Sequence, residues 1–368
     1  MLKPFSRVLF LLGSVFSFSQ ITRASDDDVL AQARAIHERV MTLDTHSDIP
    51  LNFATSEFMP GGAEAQVNLD NMAAGGLDAS FFVVYVGQAE RTDAAYLAAK
   101  ADALAKFDAI HRMTDFLYPE RIGLATTAAE AVAIHAQGKM VALIGIENGY
   151  VIGKDLSLLE DFRNRGARYM TLVHNGHNDI GDSAQPQARL NDVDAEHGGL
   201  SQFGEAVIAE LNRLGMVVDV SHVSRATMLQ ATRLSKAPVI ASHSSVTARF
   251  DHPRNMNDEQ LLALRDNGGV VQIVAFNTYL KAGGAATVAD FVDHIDYAVN
   301  LIGVEHVGIS SDFGGGGGVT GWNNAAETFN VTLELVRRGY TEAQIGMIWG
   351  GNVLRILAAA EQIAAQSQ

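Results

Sequence analysis

The chain has 368 residues, 48% hydrophobic and 19% charged, with a formal charge of -15. That is enough chain for a large core, without the charge excess of a disordered protein, and too acidic a surface for non-specific binding of nucleic acid. It contains no cysteine, which excludes disulfides and a lipoprotein anchor, so stability must come from the core, a bound metal or assembly.

Lys3 and Arg7 precede an apolar run over residues 8–18, followed by Thr22-Arg23-Ala24 and the acidic Asp26 to Asp28. This is the layout of a secretory signal peptide cleaved after Ala24; the run is short for a bilayer span. Cleavage removes three basic residues and no acid, taking the formal charge from -15 to -18. Residues 25–368 are expected to form a single catalytic domain, exported to the periplasm or the medium, with no stable membrane anchor.

Eight strand candidates follow, at 41–45, 80–86, 139–147, 168–174, 216–222, 238–244, 270–276 and 306–312. They are β-branched, aromatic-rich and mostly continuously apolar, as strands covered on both faces are. The loop over 51–79 carries a short helix near Leu69. Residues 92–116 are Ala-rich with helical spacing (Ala94, Leu97, Ala98, Ala101, Leu104, Phe107, Ile110), and amphipathic segments separate most later strands. Closing helices are expected over 325–339 and 342–359. Eight strand–helix units predict an α/β fold, a (β/α)8 TIM barrel. A doubly wound open sheet is the alternative, but neither GxGxxG nor GxxxxGK[ST] is present. The glycine run 314–318 has no lysine and no prompt helix after it, and reads as a flexible rim loop.

Six of the eight strand candidates end in histidine or a carboxylate: His46 and Asp48, Glu147, His174, His222, His243 and Asp312. In a barrel these ends converge on the face that carries the active site. Imidazole and carboxylate are ordinary ligands of zinc and similar divalent ions, and His-x-Asp on extended backbone puts both side chains on one face. The set exceeds the needs of one tetrahedral ion; Glu147, with two oxygens, could bridge a pair, and Asp312 is the candidate acid–base. The other histidines (His37, His111, His135, His177, His197, His252, His294, His306) read as solvated or structural. Arg254 lies in the loop after the sixth strand, where a guanidinium could clamp a substrate carboxylate; Asn257 could cap the next helix.

The stretches 44-DTHSD-48, 143-LIGIENG-149, 169-YMTLVHN-175, 197-HGGLSQFGEAVIAELNRLGMVVDVSHVS-224, 240-IASHSSVTA-248, 253-PRNMND-258 and 307-VGISSDF-313 together resemble the renal or membrane dipeptidase family, a branch of the amidohydrolase-like metal barrels. The resemblance implies a metal-dependent hydrolase barrel that cleaves dipeptides, including those with a C-terminal D-residue, through a metal-bridging hydroxide. It implies two divalent ions, Zn2+ in the family: one on His46 and Asp48, the other on His222 and His243, with Glu147 between them. It further implies His174 as a substrate and oxyanion contact, Arg254 as the carboxylate clamp and Asp312 as the proton carrier. Small peptides are the expected partners, and homodimers are common in the family. Where members have Asp-Phe-Asp-Gly, this chain has 312-DFGG-315, so a looser rim is expected at Gly314. The alternatives are an amidohydrolase or lactonase acting on N-acyl amino acids or β-lactams, and a non-catalytic exported binding protein; the latter predicts a missing ligand or proton carrier, and none is missing.

Overall fold

A computed structural model of the chain describes residue 1 and residues 25–61 and 65–366; apart from Met1, the expected signal peptide lies outside the described residues. Eight parallel strands follow one another around a barrel: Leu43–Asp48, Ala79–Tyr85, Met140–Glu147, Ala167–Thr171, Val217–Asp219, Ile240–Val246, Val270–Val274 and Val307–Ser310. These are the eight expected strands, the first running three residues further than expected and the fourth, fifth and eighth stopping short of their histidine or aspartate. Two short ladders were not foreseen: Ile122–Leu124 beside the third strand, and Asn255–Met256 beside the sixth. Two or three residues are too few for a period to show.

Both faces of the strands are buried, which explains their unbroken apolar runs. On the second strand, Phe81 and Val83 point into the barrel while Phe82 and Val84 meet the helical layer, the two-residue alternation of extended backbone. The inward set includes Leu43, Ala79, Val141, Val217, Ile240 and Val270, all near strand starts. These pack with Val353, Ile356, Leu357 and Ala360 of the last helix, Asn352–Gln366. That helix plugs the end of the barrel opposite the strand C-termini.

Local signals place the helices. Asn68 caps the short helix Leu69–Gly75, and Asn257 caps Asp258–Asp266 in a reciprocal box with Gln260, as expected for it. The helix Gln202–Leu214 starts at a Ser201 cap and ends at Gly215, whose φ of 70° suits glycine. Among the described residues no helix is long and apolar enough to cross a membrane.

The barrel closes between its first and last strands without a regular ladder. Backbone bonds join Asp312 N–H to His46 O at 3.1 Å and Asp48 N–H to Phe313 O at 2.8 Å. The buried Asp44 carboxylate adds further bonds across the seam. It accepts from the backbone N–H of Ser311 (2.9 Å) and of His46 (3.2 Å), from the Ser47 hydroxyl (2.9 Å), and from the Ser311 hydroxyl. Burial pushes the Asp44 carboxyl above its ordinary range, against these donors. Asp44→Ala would leave several buried donors unpaired, at about 1–3 kcal/mol each. The variant should lose several degrees of thermal midpoint; an unchanged midpoint in thermal unfolding would show that the seam does not need the carboxylate.

Candidate active site

The strand ends bring the expected residues together around Glu147, the last residue of the third strand. Its two oxygens face different partners. Oε2 lies 3.4 Å from His46 Nε2, which is also 3.4 Å from Asp48 Oδ2 and 3.9 Å from Asp312 Oδ1. Oε1 lies 3.1 Å from His222 Nε2, 3.4 Å from His243 Nε2 and 3.6 Å from His174 Nε2. The His222 and His243 Nε2 atoms are 2.8 Å apart. These residues form three overlapping groups of donors close enough to share an ion.

The outer ring nitrogens determine what the inner ones present. His222 Nδ1 lies 3.0 Å from Asn175 Oδ1, which can only accept, so Nδ1 carries the hydrogen. His243 Nδ1 lies 2.8 Å from Ser242 Oγ, whose own hydrogen goes to Asp219 Oδ2 at 2.6 Å. His46 Nδ1 lies 3.2 Å from the Tyr169 hydroxyl, which donates to Thr45 O at 3.0 Å. All three imidazoles are therefore held with Nδ1 protonated and Nε2 turned toward Glu147; His222 and His243, as neutral rings, present Nε2 lone pairs there. Such outer bonds orient metal-ligating histidines. Two lone pairs 2.8 Å apart beside carboxylates repel unless a cation lies among them, and His46 Nε2 is buried with no hydrogen-bond partner among the described residues. The donor set fits divalent metal.

The electrostatics agree. Burial depresses His222 and His243 well below the ordinary imidazole range, keeping them neutral. Burial also disfavours charge on His46, but Glu147 and Asp48 outweigh it and hold a proton there well above the usual range; metal binding would displace that proton. Glu147 stays ionised despite burial because His46 and the neighbouring imidazoles favour its charge. Burial pushes the Asp312 carboxyl well above its ordinary range; His46 and Arg254 oppose this, and the negative Asp48 and Glu147 add to it.

Backbone strain is concentrated here. Among the described residues five non-glycines have positive φ; two of them are His222 (64°) and Asp312 (57°), and Asn148 (81°) follows Glu147. Left-handed backbone costs a non-glycine residue about 1–2 kcal/mol. It turns the chain sharply just past a strand end and aims the side chain inward.

The cluster floors a cavity of about 730 Å³ with Phe53, Phe58 and Val67 on one wall. His174 lies against the Tyr85 ring at 4.9 Å, with its side chain 19% exposed, and its Nδ1 has no hydrogen bond among the described residues. A ring so placed suits contact with substrate more than ligation. Arg254 departs from its expected rim position. It is 3% exposed, donating from Nη2 to His243 O at 3.1 Å with its Nε unpartnered.

The glycine run also differs from expectation. Gly314 N–H donates to Gln66 Oε1, and Gly315 and Gly317 N–H to Asp312 O. A Cβ on Gly314 (φ 82°) would lie 2.5 Å from Asp48 O, and one on Gly315 would lie 2.4 Å from Asp48 Oδ2 and 2.5 Å from Asp312 Oδ1. The segment is a close-fitting turn pressed on the site. On this backbone an aspartate at 314 would need the chain to shift.

The remaining histidines serve structure, as expected of them. His37 bonds Thr332 and Gly75 O, His294 bonds Val246 N–H and Leu280 O, and His177 bonds Ser183 N–H and Val193 O. Sequence reasoning did not single out Tyr169, Asn175, Asp219, Ser242 or Lys106. Tyr169 had an indirect sign in Gly145: a Cβ there would lie 2.1 Å from the Tyr169 ring, so the glycine makes room for it.

A profile of the membrane dipeptidase family (peptidase family M19) matches residues 30–368. The chain is 37% identical over 306 residues to dipeptidase aclJ of Aspergillus oryzae, covering 81% of this chain and 71% of that protein. It is 36% identical to dipeptidase tcpJ of Claviceps purpurea, covering 82% and 71%. Among solved structures, the probable dipeptidase PvdM from Pseudomonas aeruginosa superposes with a TM-score of 0.88 at 30% identity, over 92% of this chain and all of that one.

Ser242→Ala removes the acceptor of His243 Nδ1–H while Asp219 keeps Thr171 and two backbone N–H groups. Metal affinity, measured by competition with a chromogenic chelator, should fall about 10–100-fold. An unchanged affinity would show that the serine does not orient the ligand.

Proposed function

The chain belongs to the membrane dipeptidase family, and from that premise we propose that it hydrolyses dipeptides at the Glu147-centred site. The observation that carries this reading is the division of the Glu147 carboxylate: one oxygen toward His46 and Asp48, the other toward His222 and His243. We read these five residues as holding two divalent ions, most simply zinc given imidazole and carboxylate donors. Bound there, the ions supply Lewis acidity, which polarises a carbonyl and lowers the pKa of water.

The side chains supply the rest. Arg254 holds the substrate's C-terminal carboxylate; a buried guanidinium with a free Nε, beside Tyr279 and within the field of the cluster, supports that role. His174, partly open to the cavity and next to Glu147, donates to the scissile carbonyl oxygen as negative charge develops. Asp312, 3.9 Å from His46, takes a proton from the attacking water and passes it to the amide nitrogen as the C–N bond breaks. The cavity, floored by the cluster, suits a small peptide better than a folded protein. The basic and apolar pattern over residues 1–18 supports export.

The test is a dipeptide panel, with both C-terminal stereochemistries, run beside N-acyl amino acids, lactones and β-lactams, with metal counted per chain. Two metals and dipeptide turnover are expected. Asp312→Asn should keep the metal and lose about 10²–10⁴ in kcat; parent turnover in that variant would remove Asp312 from the proton path. Arg254→Ala should harm dipeptides far more than their C-terminal amides. Equal losses on both would rule out the clamp.

A further inference from the structure

Lys106 lies on the buried stripe of the helix Asp93–His111, in register with Ala99, Ala103 and Ile110, and is 6% exposed. A lysine there is costly to bury, yet this one has no hydrogen bond or ion pair among the described residues, and its side chain reaches the cavity wall. It is the one lysine or arginine on that wall among the described residues. Its Nζ stands 5.4 Å from the centre of the Tyr85 ring. Tyr85 pairs with Glu147 across the second and third strands and touches His174 at 4.9 Å. The carboxylates whose field reaches it are Asp48 and Glu147, engaged in the cluster, and Asp102 on its own helix.

Arg254 stands on the other side, against His243 O and the Tyr279 ring. The two cations thus flank the cluster, Lys106 from the second-strand side and Arg254 from the sixth. In the binding mode proposed above, with the C-terminal carboxylate at Arg254 and the scissile carbonyl at His174 and Glu147, the first residue would lie toward Lys106. We propose that Lys106 determines specificity by pairing with an anionic side chain on that first residue, so that dipeptides beginning with glutamate or aspartate are preferred. This rests on the dipeptidase reading above. An ammonium on a cavity wall, lacking a protein partner and backed by an aromatic ring, has its pairing capacity directed at the occupant of the cavity.

Isosteric substrate pairs test it: Glu-Ala against Gln-Ala, and Asp-Ala against Asn-Ala, with the parent, Lys106→Met and Lys106→Arg. One charge-assisted bond predicts at least about 10-fold higher kcat/KM for the acidic member in the parent, mostly through KM. Lys106→Met should bring the ratio near one, and Lys106→Arg should restore part of it. A parent that cleaves dipeptides with no acidic preference overturns this inference and leaves the dipeptidase reading standing. A Lys106→Met variant that loses equally on both members also overturns it, since a packing role would act that way. Failure of the parent on every dipeptide overturns both.

Discussion

Three imidazoles with their outer nitrogens already bonded turn Nε2 toward one buried carboxylate, and much of the surrounding structure exists to sustain that arrangement. Left to themselves, such rings would rotate apart. They are prevented by partners from neighbouring strands: Tyr169 on the fourth, Asp219 on the fifth and Ser242 on the sixth, with Asn175 just beyond the fourth. Asp219 alone bonds Thr171, Ser221 and Ser242, tying three strands to one imidazole. The site is thus a property of the barrel's upper layer rather than of its loops. This accounts for its tolerance of two strained residues, His222 and Asp312, at the turn out of the strands.

Barrel closure and site geometry share the same residues. The seam between first and last strands runs through His46 O and Asp312 N–H, so the bond that completes the ring also sets the spacing of a proposed ligand from the proposed proton carrier. Asp44 supports that bond from below and bonds the His46 N–H as well. Stability and chemistry are coupled here, and a weakness in the seam would reach the cluster directly.

The eight strands and the seven polar residues at their ends were legible because each signal was local: a β-branched run ending in a chemically distinctive side chain. What lay hidden depended on packing between elements. Tyr169 and Asn175 stood inside a matched stretch, yet nothing in 169-YMTLVHN-175 tells which ring nitrogen each would meet. Ser242 and Asp219 look like ordinary strand residues until three strands are brought side by side. Arg254 was placed on the right loop but at the wrong depth, since loop position alone does not say that the segment folds back to pair with Ser245 and Val246. Lys106 did leave a trace, a lysine at helical spacing among alanines on a face that should be apolar, but the surrounding Ala-rich composition masked which face was buried.

The turn at Gly314 to Gly317 has a consequence for how this enzyme could diversify. Each Cβ added at Gly314, Gly315 or Gly317 would meet Asp48, Asp312 or the adjoining Ser311 backbone, so almost any mutation there alters the reaction centre before it alters what the pocket admits. Phe53, Phe58 and Val67, set in a long connection after the first strand, line the cavity without supplying any of the metal-competent groups. Natural drift and laboratory libraries should therefore find new substrate ranges more readily at those three positions, while a side chain at 314 should require a shifted turn.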